Sequence, residues 1–164
     1  SISLNMLTAH AQKNGLSGWE VFTGIPASLG GAVFMNAGTS LGEIGSIVKE
    51  VKLLNVEGKI KTVKVSKESF SYRENHIVRP GEVIIEVTLF HKGIDDKIKN
   101  KIKDYIDFRK RTQPLTSKNC GCAFKNYDDL HKAGQFIDVC GLKGLSKNGL
   151  RVISKIHSKF LFIC

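Results

Sequence analysis

Gly24-Ile25-Pro26-Ala27-Ser28-Leu29-Gly30-Gly31-Ala32-Val33-Phe34-Met35-Asn36-Ala37-Gly38 carries small and apolar side chains broken by glycines at 24, 30, 31 and 38. A backbone this bare can come close to a ligand or to another segment of the chain. Successive peptide N–H groups in a glycine-rich turn can also hold phosphate oxygens. The spacing is not a G-x-G-x-x-G fingerprint following a strand, so a doubly wound dinucleotide fold is disfavoured. The residues alone leave two readings open: a ligand cradle, or a tight turn between closely packed strands.

Working outward, Leu4, Leu7 and Ala11 predict a short helix over 4–14, closed by Gly15 in the left-handed C-cap position. Downstream, strands are expected over 47–55 and 60–65, joined by a hairpin turn at Glu57-Gly58. A helical turn capped by Ser66 is expected over 66–70, then a strand over 83–90 with Val83, Ile85, Val87 and Leu89 on one face. Ile98, Ile102, Tyr105 and Ile106 recur at helical spacing and predict a helix over 95–110. Asp95 or Asp96 caps it, and Pro114 ends it and marks a boundary. Beyond that proline, 121–124 reads as compact and apolar. A helix over 133–139 should turn Phe136, Ile137 and Cys140 inward, and strands are expected over 152–156 and 160–163. Together these elements describe an α+β protein in two parts, 1–113 and 114–164.

The 164 residues are 41% hydrophobic and 24% charged, which excludes a disordered tail and a membrane bundle. No apolar run reaches the roughly 18 residues of a membrane span, and no signal peptide is expected. The net charge of +10 suits an anionic small substrate or a phosphorylated cofactor as well as nucleic acid. Without a nucleic-acid-binding motif, and with most phenylalanines in apolar contexts, nucleic acid is not an expected partner. Cys120 and Cys122 form a C-x-C pair with no second pair to complete a zinc tetrahedron, so no metal is expected. A reduced, cytoplasmic protein is the expectation.

Taken in order, the motifs resemble those of the UDP-N-acetylenolpyruvoylglucosamine reductase (MurB) family, flavoenzymes of bacterial peptidoglycan synthesis. Gly24–Gly38 resembles the family's G-I-P-G-x-x-G-G-A-x-x-M-N-A-G, with Ala27 in place of a glycine. Gly15-Leu16-Ser17-Gly18-Trp19-Glu20 is similar to its lead-in, and Phe70-Ser71-Tyr72-Arg73 to its F-x-Y-R. Arg109-Lys110-Arg111-Thr112-Gln113-Pro114, Cys120-Gly121-Cys122-Ala123-Phe124-Lys125-Asn126, Ala133-Gly134-Gln135-Phe136-Ile137 and Gly141-Leu142-Lys143-Gly144 follow in the family's order. So does Ser154-Lys155-Ile156-His157-Ser158-Lys159-Phe160. The resemblance implies the second part of a two-part FAD-binding domain followed by a small α+β substrate-binding domain. It also implies that an N-terminal region and a glutamate-bearing C-terminal end of the family lie outside this chain.

The resemblance further implies FAD contacts at Gly24, Ile25, Pro26, Ala27, Ser28, Gly30, Gly31, Ala32, Asn36, Ala37 and Gly38. Arg73 is the expected stabiliser of enolate charge. Cys122, where the family has a serine, is the expected proton donor. Tyr72, Lys125, Asn126 and Gln135 are expected substrate contacts. The implied activity is NADPH-dependent reduction of UDP-N-acetylglucosamine enolpyruvate to UDP-N-acetylmuramate through FAD, in a monomer. The alternative is a flavin- or nucleotide-sugar-binding module without turnover.

Overall fold

The computed structural model describes residues 1–113, 115, 118–152 and 160–163. The chain divides into two compact units, Ser1–Asp104 and Tyr105–Cys164.

Unit 1 opens with helix α1 (Leu4–Asn14), whose Leu4, Leu7 and Ala11 are buried as their spacing predicts. Ser3 caps its start through a bond accepted from the Met6 N–H, and Gly15 ends it at φ 69°. Helix α2 (Leu29–Phe34) follows, capped by Ser28. The short strands β1 (Gly38–Thr39) and β2 (Gly42–Glu43) form an antiparallel ribbon. Strands β3 (Val48–Leu54) and β4 (Ile60–Lys64) form the expected hairpin. Its turn is fastened by the Asn55 carboxamide, which accepts from the N–H groups of Glu57 and Lys59, and Gly58 sits at φ 76°.

A second small ribbon, β5 (Phe70–Ser71) and β6 (Glu74–Asn75), precedes β7 (Val83–Leu89). The larger sheet has strand order β4-β3-β7, all antiparallel. One face packs Val51 and Leu53 against Leu4, Phe22, Val33, Ile44 and Ile47. Fully burying one such side chain is worth roughly 1.5–3 kcal/mol. The apolar cluster, rather than the two-residue ribbons, therefore holds unit 1 together. Helix α3 (Ile98–Thr112) begins in unit 1, with Ile98 and Ile102 buried.

Two expectations are corrected here. The helical turn over 66–70 is an isolated turn closed by the Ser69 N–H to Ser66 carbonyl bond, and its last residue enters β5. Ser66 and Ser69 bond each other and local backbone instead of capping a helix. In β7 the pairing slips between Lys52 and Leu53, which pair with Glu86 and Ile84. This bulge breaks the alternation. Val83 and Ile85 are exposed while Ile84, Val87 and Leu89 pack on the core.

Unit 2 holds β8 (Asn119–Cys122), α4 (Ala133–Val139), β9 (Ser146–Lys147), β10 (Leu150–Val152) and β11 (Phe160–Ile163). Its sheet runs β8-β11-β10-β9, antiparallel throughout. Residues 121–122 belong to β8, and Phe124 is exposed. Helix α4 spans the predicted residues, but Phe136 and Cys140 are exposed, not inward. Phe136 instead stacks on the ring of His131, with centroids 6.2 Å apart. Pro114, His157 and most of the strand expected over 152–156 lie outside the described residues.

Candidate functional site

The glycine-rich stretch is two pieces with different roles. Most of 24–31 lies at the surface: Gly24, Pro26, Ser28 and Gly31 are exposed, Ile25, Ala27 and Gly30 half-buried, and Leu29 buried in the core. The Ser28 hydroxyl accepts from the Gly31 N–H at 3.4 Å. A Cβ added at Gly30 would meet nothing within 4 Å, so open space lies in front of that backbone.

Within 32–38, Ala32, Val33 and Asn36 turn inward while Phe34 and Met35 are exposed. Ala32 and Asn36 are buried, at 1% exposure each, and Ala37 packs on the core. Asn36 adopts φ 41°, a left-handed conformation that asparagine tolerates better than most residues. Its carboxamide is fully engaged across three segments. Nδ2 donates to a Glu43 carboxylate oxygen at 2.8 Å and to the Ser71 carbonyl at 2.7 Å. Its Oδ1 accepts from the Gly45 N–H at 3.0 Å.

The Ser71 carbonyl ties this stretch to the β5–β6 ribbon. Tyr72 and Arg73 form the turn of that ribbon, with Arg73 at φ 59°. Phe70 packs over Gly45, where an added Cβ would fall 2.7 Å from the ring. Asn75 donates to the Phe34 carbonyl at 2.6 Å, pinning β6 to the end of α2.

With the turn so fixed, the Arg73 guanidinium reaches the end of the glycine-rich stretch. Nη2 donates to the Gly38 carbonyl at 2.6 Å. Nη1 donates to Glu43 Oε1 at 3.2 Å and, at 3.5 Å, to the Asn36 carbonyl. The Tyr72 ring lies beneath the guanidinium carbon at 4.8 Å. Gly38 leaves room for this arrangement: a Cβ there would come within 2.9 Å of Glu43 Cγ and the Gly42 carbonyl.

Sequence reasoning singled out Asn36, Gly38, Tyr72 and Arg73 separately, and the structure brings them together. It missed Glu43, whose two carboxylate oxygens join Asn36 to Arg73. The available signal was a lone carboxylate between Gly42 and Gly45 in an otherwise apolar stretch.

In unit 2, Cys122 ends β8 and is exposed. Lys125 is exposed and Asn126 half-buried. The Asn126 Oδ1 accepts from the Ala133 N–H at 3.2 Å, and Gln135 Oε1 accepts from the Lys132 N–H at 3.3 Å. Both amides thus serve the first turn of α4, whose leading N–H groups lack partners within the helix. Nearby, the His131 side chain and backbone N–H groups hold the Asp128 carboxyl below its usual range. Among the described residues no group of three or more His, Cys, Asp or Glu side chains could hold a metal ion, and no helix is long and apolar enough to cross a membrane.

An arginine held beside a glycine-rich surface backbone can bind a carboxylate or a developing oxyanion. Residues 113–163 match the family model described as the C-terminal domain of UDP-N-acetylenolpyruvoylglucosamine reductase. The reductase of that name from Chlamydia pneumoniae is 39% identical over 148 residues, covering 90% of this chain and 48% of that protein. Its counterpart from Streptococcus equi subsp. equi is 40% identical over 155 residues, covering 94% and 52%. The crystal structure of the MurB reductase from Thermus caldophilus superposes with a TM-score of 0.85 at 34% identity, covering 98% of this chain and 58% of that one.

The fold is therefore the α+β architecture of the corresponding region of that reductase. The chain matches the UDP-N-acetylenolpyruvoylglucosamine reductase (MurB) family and spans about half the length of the curated relatives it matches.

Proposed function

We propose that this chain carries cofactor-binding and substrate-reducing residues of a reductase that uses NADPH and FAD to convert UDP-N-acetylglucosamine enolpyruvate to UDP-N-acetylmuramate. The observation that carries the reading is Arg73, held by Gly38 and Glu43 at the end of the glycine-rich stretch. We assign 1–113 to the cofactor domain and 114–164 to the substrate domain of a cytoplasmic monomer that acts in peptidoglycan synthesis.

The residues present fit FAD. The exposed backbone of 24–31, with open space before Gly30, suits a pyrophosphate or a flat ring. Ala32, Asn36 and Gly38 support that edge from behind through burial and the bonds to Glu43 and Arg73. When bound, FAD supplies a two-electron carrier between NADPH and the enolpyruvyl group.

The remaining chemistry belongs to side chains. Arg73 binds the enolpyruvyl carboxylate and stabilises the charge that develops beside it, remaining protonated throughout. Tyr72 supports the guanidinium from below. The Cys122 thiol donates a proton to the substrate carbon. A thiol is a stronger acid than a serine hydroxyl, which suits it to general acid catalysis. Lys125 offers its ammonium to the diphosphate. Asn126 and Gln135 offer their amide N–H groups, since their oxygens already serve α4.

Measuring NADPH oxidation by the FAD-loaded chain, with and without the enolpyruvyl UDP-sugar, tests this reading. Sugar-dependent oxidation that falls at least a hundredfold in Arg73→Lys supports it. Oxidation indifferent to the sugar points to another substrate. Retained flavin without any oxidation points to a binding module.

A further inference from the structure

Glu43 has a role that neither the motif order nor the proposed contacts assign. Its Oε1 accepts from Arg73 Nη1 and its Oε2 from Asn36 Nδ2, so one carboxylate bridges the buried amide and the guanidinium. The Glu43 backbone is held by the ribbon pairing of Gly38 with Glu43 and by the Ile44 N–H to Ala37 carbonyl bond. Asn36 is in turn fixed by Ser71 and Gly45. Glu43 therefore stands on a rigid base, whereas Arg73 stands on a two-residue turn with a long, flexible side chain.

A guanidinium has five N–H donors in one plane. Glu43 and the Asn36 carbonyl take the two on Nη1, and the Gly38 carbonyl takes one on Nη2. Among the described residues, Nε–H and the second Nη2 hydrogen keep no partner. Holding one end of the plane aims the remaining donors, and two donors on a planar group match the two oxygens of a carboxylate.

We propose that Glu43 is the positioning residue for Arg73, fixing the guanidinium plane so that its remaining donors face an incoming carboxylate. The assignment of that carboxylate to the enolpyruvyl group rests on the function proposed above; the ordering of Arg73 by Glu43 does not.

Two readouts on the whole chain separate these parts. The first is solvent exchange of the Arg73 Nη1–H groups, followed by nitrogen-15 NMR in wild type, Glu43→Gln and Glu43→Asp, with backbone amide spectra checking that each variant is folded. Exchange should accelerate at least fivefold in Glu43→Gln and be largely restored to the slow rate in Glu43→Asp, which keeps the charge. Equal exchange rates in a folded Glu43→Gln overturn the proposal. If Glu43→Gln does not fold, Glu43→Ala decides by the same measure: exchange at least fivefold faster than in wild type supports the proposal, and an unchanged rate overturns it.

The second readout is calorimetric affinity for the enolpyruvyl UDP-sugar in wild type, Glu43→Gln, Arg73→Lys and the double variant. Glu43→Gln should weaken binding about tenfold in the wild-type background and less than twofold in the Arg73→Lys background. Equal losses in both backgrounds mean that Glu43 does not act through Arg73, and the proposal falls. Slow, Glu43-dependent exchange with no effect of Arg73→Lys on binding upholds the positioning and removes the proposed substrate.

Discussion

Replacing Asn36 with alanine should destabilise unit 1 by about 4.5 kcal/mol. Asn36 is 1% exposed, and its carboxamide makes three bonds at 2.7–3.0 Å. Those to the Ser71 carbonyl and Gly45 N–H join neutral groups and are worth about 1 kcal/mol each. The bond to the Glu43 carboxylate is charge-assisted and worth roughly 1.5 kcal/mol or more. Alanine at φ 41° adds about another kcal/mol, because the left-handed region disfavours a Cβ without a compensating polar side chain. The assay is urea unfolding followed by fluorescence of Trp19, the sole tryptophan. Trp19 lies in unit 1, packed edge-on against Phe22 and bonded to the Phe90 carbonyl. For a urea dependence of roughly 2 kcal/mol per molar, the midpoint should fall by about 2 M. A loss below about 1 kcal/mol would refute the view that Asn36 joins the glycine-rich stretch to the Arg73 turn.

Gly38→Ala should cost about 2 kcal/mol in the same assay and weaken FAD binding, because the new Cβ strikes Glu43 and the Gly42 carbonyl. Gly30→Ala should raise stability by about 0.5–1 kcal/mol, since it lies in α2 with nothing near its Cβ, yet weaken flavin binding by occupying the open edge; calorimetry with FAD separates the two effects. Asp95 is held below its ordinary carboxylate range by hydrogen bonds from Lys101 and the Lys97 N–H. Its stabilisation is therefore present above the unfolded pKa of 3.8 and lost as pH falls through the lower folded value. Asp95→Asn should lower the thermal midpoint at pH 7 and flatten its fall below about pH 4. Iodoacetamide should modify Cys122 and Cys140, the thiols exposed among the described residues, and block sugar-dependent NADPH oxidation. In Cys140→Ser the block should persist, and in Cys122→Ser it should disappear while turnover remains, which kinetics with mass spectrometry can check.

Elements written in local chemistry were legible in the sequence. Helix α1 carries its own cap, apolar face and terminal glycine, and the β3–β4 hairpin carries its turn in Asn55 and Gly58. The face of β7 was not legible, because its bulge arises from pairing with β3, a partner distant in the sequence. Ser66 and Ser69 misled for a related reason: the same hydroxyls that cap helices also close isolated turns. Phe136 looked like a core residue by spacing, but α4 is short and its ring stacks on His131.

The site divides in the same way. Gly24–Gly38 and the Tyr72-Arg73 turn were visible as motifs. Which residues of the stretch are its buried support was not, because the buried Asn36 amide finds its partners in Ser71 and Glu43, both outside the stretch. Glu43 showed only as a lone carboxylate between Gly42 and Gly45. Its role is defined by a guanidinium thirty positions away in the sequence.

The most direct test of the central claim is the absorption spectrum of the purified chain after mixing with excess FAD and removing free cofactor by gel filtration. The account predicts a retained flavin spectrum, with bands near roughly 370 and 450 nm, in stoichiometric amount and reduced in Gly30→Ala. Protein that emerges colourless, with FAD wholly in the small-molecule fraction, would contradict it.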